Sequence, residues 1–106
     1  MEAQNIDEGD ERDRGLPAKC QTGSIWSIVG PAKRSTEGIG RWNTLKITCR
    51  GDLPRVVLNA ITAAEADASR RPELIDQPRS GYINLKNIGR KGRGVEFRAV
   101  RVEGLD

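Results

Sequence analysis

The chain has 106 residues, a hydrophobic fraction of 36% and a mean hydropathy of −0.60, which limit residues 1–106 to a single domain with a thin core. Its formal net charge is +3, but the segment 1–14 is acidic, so the remainder is the more basic part. Histidine is absent, which excludes an imidazole general base, a histidine-containing metal site and a Ser-His-Asp triad.

Membrane and metal chemistry are also disfavoured by the sequence. No apolar run is long enough to span a bilayer, and the N-terminus lacks the apolar region of a signal peptide, so we predict no membrane partner and leave the localisation open. Cys20 and Cys49 lack metal-ligand spacing, and we predict neither a metal nor another cofactor. A buried free thiol is the default for Cys49, with a Cys20–Cys49 disulfide as the alternative.

The first third of the chain predicts two strands and two loops. Met1–Asp7 alternates weakly, and Thr22–Val29 is rich in β-branched and aromatic residues. The charged run 8–19 between them ends in Gly-Leu-Pro, which is typical of a loop. Gly30–Gly40 is a long loop with a proline and two adjacent bases, and loops of this length are often functional.

The central stretch Arg41–Asn59 predicts a β-hairpin. Its first half alternates apolar and polar residues, as expected of a strand with one buried face. Gly51–Pro54 has turn chemistry, so we expect a slightly long loop followed by a returning strand at Arg55–Asn59. The apolar face of the first strand is predicted to carry Leu45, Ile47 and Cys49.

Two segments after the hairpin are less regular. Ala60–Ser69 is rich in alanine and glutamate and by propensity could be a helix. Arg70–Ser80 contains two prolines and is predicted to be an exposed loop. The four aromatic residues of the chain each lie in a strand-like run, and we predict that they are core residues: Trp26, Trp42, Tyr82 and Phe97.

The C-terminal part predicts two further strands, Gly81–Asn87 and Val95–Val102, joined by the basic, glycine-rich turn 89–94. The apolar parity shifts within the last strand, and a β-bulge near Arg98 and Ala99 would keep its apolar residues buried. Strands and helices do not alternate along the chain. The predicted fold class is therefore all-β.

Seven pieces occur in a fixed order: E-x-Q-x-x-D, T-G-S-I-W, P-A-K, G-x-W-N-x-x-x-I-x-C-x-G, V-x-L-N, G-Y-I-x-L and V-E-F-R-x-V-R-V. In this order the chain, from Met1 to Leu105, resembles the 3-keto-disaccharide hydrolase family. The resemblance implies a partial concanavalin-like jelly-roll sandwich of antiparallel strands. In that family the stretch Glu2–Asp7 lies inside the domain, so we expect a domain truncated at its N-terminal side. Uncovered strand edges would favour a homodimer or a strand-swapped oligomer.

The resemblance implies action on 3-keto-glycosides, and members of the family are often exported. The keto group acidifies the neighbouring C–H, so that the glycosidic bond can leave by elimination before water adds. We predict Glu2, Asp7 and Lys33 as catalytic residues, with Lys33 facing a developing oxyanion. The predicted substrate-binding residues are Gln4, Trp42 and Asn43. Solvated carboxylates, a core tryptophan and an ordinary loop lysine are the structural alternatives.

The chain departs from the family's pattern at three positions, and the changes at Arg41 and Ile88 favour a second function. Arg41 replaces an acid, Ala60 replaces the glycine of an Asn-Gly turn, and Ile88 replaces a common histidine. A carbohydrate-binding module without catalysis is therefore the alternative. Nucleic-acid binding through the basic turn 89–94 is the least favoured hypothesis, because no aromatic stacking platform accompanies the charge.

Overall fold

The centre of the structure, a computed structural model, is a three-stranded antiparallel sheet with the strand order β1-β2-β3. The strands are β1 (Leu45–Arg50), β2 (Leu53–Leu58) and β3 (Ile61–Glu65). The structure describes residues 3, 17, 19, 22, 24–25, 30–31, 37, 40–78, 80–86 and 95–105. The predicted all-β antiparallel class is confirmed.

The predicted hairpin Arg41–Asn59 is confirmed, but its turn is shorter than expected. Arg50 pairs with Leu53, so Gly51 and Asp52 alone form the loop. Gly51 has a φ of +57°, the conformation that a type II′ turn requires at its first central residue. Pro54 belongs to β2, where its missing N–H costs little because β3 ends at Glu65.

The second hairpin replaces the helix that propensity suggested for Ala60–Ser69. Asn59 and Ala60 have φ values of +51° and +64°, as in a type I′ turn, and β3 starts directly afterwards. The Asn59 N–H donates to the Thr44 carbonyl at 2.8 Å, and the Asn59 Oδ1 accepts from the Thr44 N–H at 2.8 Å. The Asn59 side chain thus adds one rung to the ladder beyond β1. Cross-strand pairing overrides the intrinsic helix preference of alanine.

The left-handed conformation of Ala60 predicts how a substitution at this position changes the free energy of unfolding. A Cβ in this region costs about 1–2 kcal/mol, whereas glycine adopts it freely. We expect Ala60→Gly to raise the free energy of unfolding by about 1 kcal/mol, after the greater entropy of glycine in the unfolded chain is subtracted. Urea denaturation followed by circular dichroism would measure the change.

The matched control is Gly51→Ala in the other turn. It adds a Cβ at a φ of +57°, and should lower the free energy of unfolding by about 1 kcal/mol. Equal destabilisation by both substitutions would contradict the turn assignment at Ala60.

A small core lies on one face of β2 and β3. Ile25 and Val56 are fully buried and Ala64 is nearly so, with Ala3 and Ala66 packed against them. Ala3 and Ile25 form an antiparallel bridge, which brings parts of the predicted strands Met1–Asp7 and Thr22–Val29 together.

The hydrophobic free energy of this core scales with the apolar area removed from water, and few of the described side chains are fully buried. The ladder between β2 and β3 is irregular at Val56 and Val57, where Ala63 is the extra residue of a β-bulge.

The apolar face predicted for β1 is real, but it is not buried. Leu45, Ile47 and Cys49 stand opposite Leu58, Val56 and Pro54, and therefore share the core face. They are nonetheless exposed, with Ile47 at 47%, and Cys49 is an exposed free thiol rather than a buried one. The physical reason is position: β1 is an edge strand, whereas Ile25 covers β2 and β3.

Two short helical turns follow β3. Asp67 caps the 3-10 turn Ala68–Arg70 by accepting a hydrogen bond from the Ser69 N–H at 3.0 Å. The Ser69 hydroxyl also donates to Asp67, and chiefly for this reason the pKa of Asp67 is lowered. Helix α1 (Pro72–Ile75) stands where an exposed loop was predicted, and it buries Leu74.

The C-terminal strand predictions are not borne out in the described ranges. Residues 81–86 and 95–105 form neither strand nor helix. The aromatic core prediction also fails here, because Tyr82 is 98% and Phe97 43% exposed, while Trp26 lies outside the described residues. Ala99 has a φ of +52°, close to the predicted bulge, but the neighbouring apolar residues are exposed. Among the described residues, no helix has the length and apolar character needed to cross a bilayer.

Candidate functional site

Trp42 stands just before β1 and is half exposed, at 47%, so it is not the core residue that its position in an apolar run suggested. The guanidinium carbon of Arg98 lies 3.9 Å from the centroid of its ring. A cation over an indole face at this distance is attracted by the ring quadrupole. The pair combines an exposed aromatic surface with a positive charge.

Asn43 is held by a network of hydrogen bonds. Its Oδ1 accepts from the Glu37 N–H at 2.8 Å and from the Asn59 Nδ2 at 2.9 Å. Glu37 belongs to the predicted functional loop Gly30–Gly40, so this network ties the end of that loop to the start of β1. Asn43 therefore has a structural role beside the substrate-binding role predicted from the sequence, which stays a prediction.

The network gives a test that separates the two roles. Asn43→Ala removes the acceptor for two hydrogen bonds in a partly solvated position, and we expect a loss of about 1 kcal/mol of stability without any sugar present. Asn84→Ala is the control, because Asn84 is exposed and its loss should change stability by less than about 0.5 kcal/mol. Thermal denaturation would compare the two, and an unchanged midpoint for Asn43→Ala would contradict the structural role.

The other predicted site residues, Glu2, Gln4, Asp7 and Lys33, lie outside the described residues. Ala3 stands between two of them in sequence, and its bridge to Ile25 is described. The structure thus places Trp42 and Asn43 at one end of the sheet, and the roles of the four other residues stay predictions.

A shallow groove of about 720 Å³ lies at the opposite end of the sheet. Leu53 at the start of β2 and Glu65 at the end of β3 line it, together with charged residues of both signs. Trp42 and Asn43, the two predicted site residues that the structure describes, do not line this groove. Within the described ranges, no cluster of three or more acidic or cysteine side chains has the arrangement of a metal site.

Sequence reasoning missed two contributors to the site. The sequence places Arg98 only near the predicted β-bulge of the last strand, and no local pattern links it to Trp42, because the contact is made by tertiary structure. The sequence predicts Asn59 only as the last residue of the returning strand and as the asparagine of the turn with Ala60. Its position directly after a V-x-L strand, with an asparagine preceding the partner strand, was the available signal for the amide pair.

Comparison with known families places this geometry in a known context. A model described as the 3-keto-alpha-glucoside-1,2-lyase-like domain matches residues 1–103. The chain belongs to this family. This confirms the resemblance identified from the ordered sequence pieces.

A solved structure of a candidate glycosyl hydrolase from Parabacteroides distasonis is similar to the chain, with 25% identity and a TM-score of 0.58. The similarity covers 62% of this chain and 34% of that one, so the chain spans about a third of the length of its structural neighbour. A search of curated proteins gives no match. The match to the 3-keto-alpha-glucoside-1,2-lyase-like family thus includes the residues of the site around Trp42.

Proposed function

We propose that the chain is a carbohydrate-active domain, related to hydrolases and lyases of 3-keto-glycosides, that cleaves a glycosidic bond with the assistance of a base. The observation that carries the proposal is the exposed ring of Trp42 beside Asn43 and beneath Arg98, in a member of the lyase-like family. The similarity to a candidate glycosyl hydrolase supports the same class of substrate.

The proposed reaction is an elimination followed by a hydration. A base removes the proton on C2, which the neighbouring C3 keto group acidifies, and the electrons form an enolate. The enolate collapses to a C1–C2 double bond as the C1–O bond breaks, and an acid gives a proton to the leaving oxygen. Water then adds its hydroxyl to C1 and a proton returns to C2. The reaction therefore calls for two proton carriers and a positive charge near the keto oxygen.

The residues of this chain fit those roles by chemical type. Because histidine is absent, carboxylates are the natural proton carriers, and Glu2 and Asp7 are the candidates. Lys33 is the proposed stabiliser of the enolate oxygen. Arg98 is a second positive group, and its placement over Trp42 keeps it beside the proposed sugar platform.

Trp42 is the proposed platform for the sugar ring. Arg98 covers one face of the indole, so the sugar would stack on the opposite face, where apolar C–H groups meet the ring. The side-chain amides of Asn43 and Asn59 lie 2.9 Å apart from Nδ2 to Oδ1, and this pairing fixes the Asn43 side chain next to the platform.

The test is a titration of the purified chain with a 3-keto-disaccharide, followed by NMR of both sugar and protein. We expect free monosaccharide to appear and the Trp42 indole signal to shift. Trp42→Ala should weaken binding about tenfold, which corresponds to about 1.4 kcal/mol. Tyr82→Ala is the matched control, because Tyr82 is 98% exposed and lies outside the site, and it should leave binding unchanged.

A non-catalytic carbohydrate-binding module is the second candidate. The presence of Arg41 where the family usually has an acid, and of Ile88 where it commonly has a histidine, supports this alternative. Shifts of the Trp42 signal without any product would favour the binding module. If no product forms and the Trp42 signal does not shift, both candidate functions are contradicted.

A further inference from the structure

The open edge of β1 has backbone groups that point away from the sheet. The Thr44 N–H and C=O both bond to Asn59, so Thr44 faces β2. Alternate residues of an antiparallel strand face the same neighbour, which assigns Lys46 and Thr48 to the β2 side. The N–H and C=O groups of Leu45, Ile47 and Cys49 therefore point outward, and among the described residues no strand lies beyond them. We call this row the β1 edge.

We propose that the β1 edge pairs with the β1 edge of a second copy of this chain, antiparallel, with Ile47 opposite Ile47 of the second copy. In this register Leu45 stands opposite Cys49, and the outward N–H groups of each copy donate to the outward carbonyls of the other. The two sheets become one six-stranded sheet about a two-fold axis. The inference is independent of the proposed function.

The first argument for a second copy is the continuity of the apolar face. The core face of β1 carries Leu45, Ile47 and Cys49, all exposed in the single chain. The Ile47-centred register keeps both core faces on the same side of the joined sheet, because the side-chain period of a strand is two. A shift by one residue would place the two apolar faces on opposite sides. The apolar side chains of the two copies then shield one another along the junction.

The second argument is the charge pattern on the other face of β1. The Ile47-centred register places Lys46 opposite Thr48 and Arg50 opposite Thr44. A shift to a Lys46-centred register puts two lysines directly opposite each other. A shift to a Thr48-centred register puts Lys46 opposite Arg50. Like charges directly opposite are unfavourable, so among registers that keep the apolar faces together the charges select the one centred on Ile47.

The first experiment measures mass by sedimentation velocity under reducing conditions. We expect the wild type to sediment at about twice the chain mass of 11.7 kDa, and Ile47→Lys to sediment as a monomer. Thr62→Lys is the matched control, because Thr62 is an exposed residue of the other edge strand, and it should remain dimeric. A monomeric wild type at about 100 µM would overturn the proposal, because a specific dimer with a Kd of about 1 µM is almost fully assembled at that concentration.

Disulfide trapping tests the register and does not depend on the folding of Ile47→Lys. In a background with Cys20→Ser and Cys49→Ser, Ile47→Cys should crosslink nearly completely under mild oxidation, since directly opposite residues have suitable Cα separations. Lys46→Cys should not, because the two copies of residue 46 are offset along the strands. Crosslinking by Lys46→Cys in preference to Ile47→Cys would overturn the register, and crosslinking by neither would overturn the pairing.

Discussion

Replacing Ile25 by alanine is expected to lower the free energy of unfolding by about 3 kcal/mol, because a fully buried isoleucine leaves a cavity as well as losing its transfer free energy. The loss is large for this chain, since among the described residues the buried cluster around Ile25 holds only Val56 and Ala64 besides it. The midpoint of thermal unfolding should fall by roughly 10–20 °C. Circular dichroism during heating and urea denaturation would measure both quantities.

Ile75→Ala is the matched control for the Ile25 substitution. Ile75 is 54% exposed in α1, so the same chemical change should cost less than about 1 kcal/mol. If both substitutions cost the same, Ile25 would not be the centre of the core.

Replacing Asp7 by asparagine, or Glu2 by glutamine, is expected to lower kcat for cleavage of a 3-keto-disaccharide by a factor of about 10² to 10⁴, the range that positioned general acids and bases contribute. Both changes keep side-chain volume and remove the ability to carry a proton. The substitution of the base should also remove the acidic limb of the pH profile of kcat/KM. Initial rates across pH would measure these effects.

Glu65→Gln is the control for the carboxylate substitutions. The Glu65 Oε2 accepts from the Arg55 Nε at 3.0 Å, and both side chains are more than half exposed, so the loss of this pair should cost less than about 1 kcal/mol. Catalysis should be unaffected, because Glu65 lies at the end of the sheet away from Trp42. Unchanged kcat in both Asp7→Asn and Glu2→Gln would exclude these carboxylates as the proton carriers.

The β1 edge and the proposed sugar site lie in neighbouring parts of the chain. Trp42 and Asn43 stand just before β1, whereas the β1 edge is formed by its alternate residues. A dimer joined through β1 would run the two strands antiparallel, so that the two sugar platforms lie toward opposite ends of the junction. Sugar binding can therefore be measured in Ile47→Lys as well as in the wild type.

The sequence by itself determined the central hairpin and its strand parity. Leu45, Ile47 and Cys49 do share a face, and the glycine at position 51 marks the turn, because strand period and turn chemistry are local properties. The resemblance to the family also marked Ala60 as the position where an Asn-Gly turn has glycine, and the φ of Ala60 is +64°. The ordered sequence pieces identified the family that the comparison then confirmed.

Tertiary structure alone decided which side chains are buried and which meet. Leu45 and Ile47 are exposed because β1 lies at the sheet edge, a fact that no periodicity contains. Residues 61–65 form a strand despite their helix propensity, because the turn at Asn59 brings them alongside β2 and their backbone pairs with it. Arg98 reaches Trp42 only through the path of the chain in space. Local sequence encodes alternation and turns, whereas burial and long-range contacts depend on which surfaces the rest of the fold brings together.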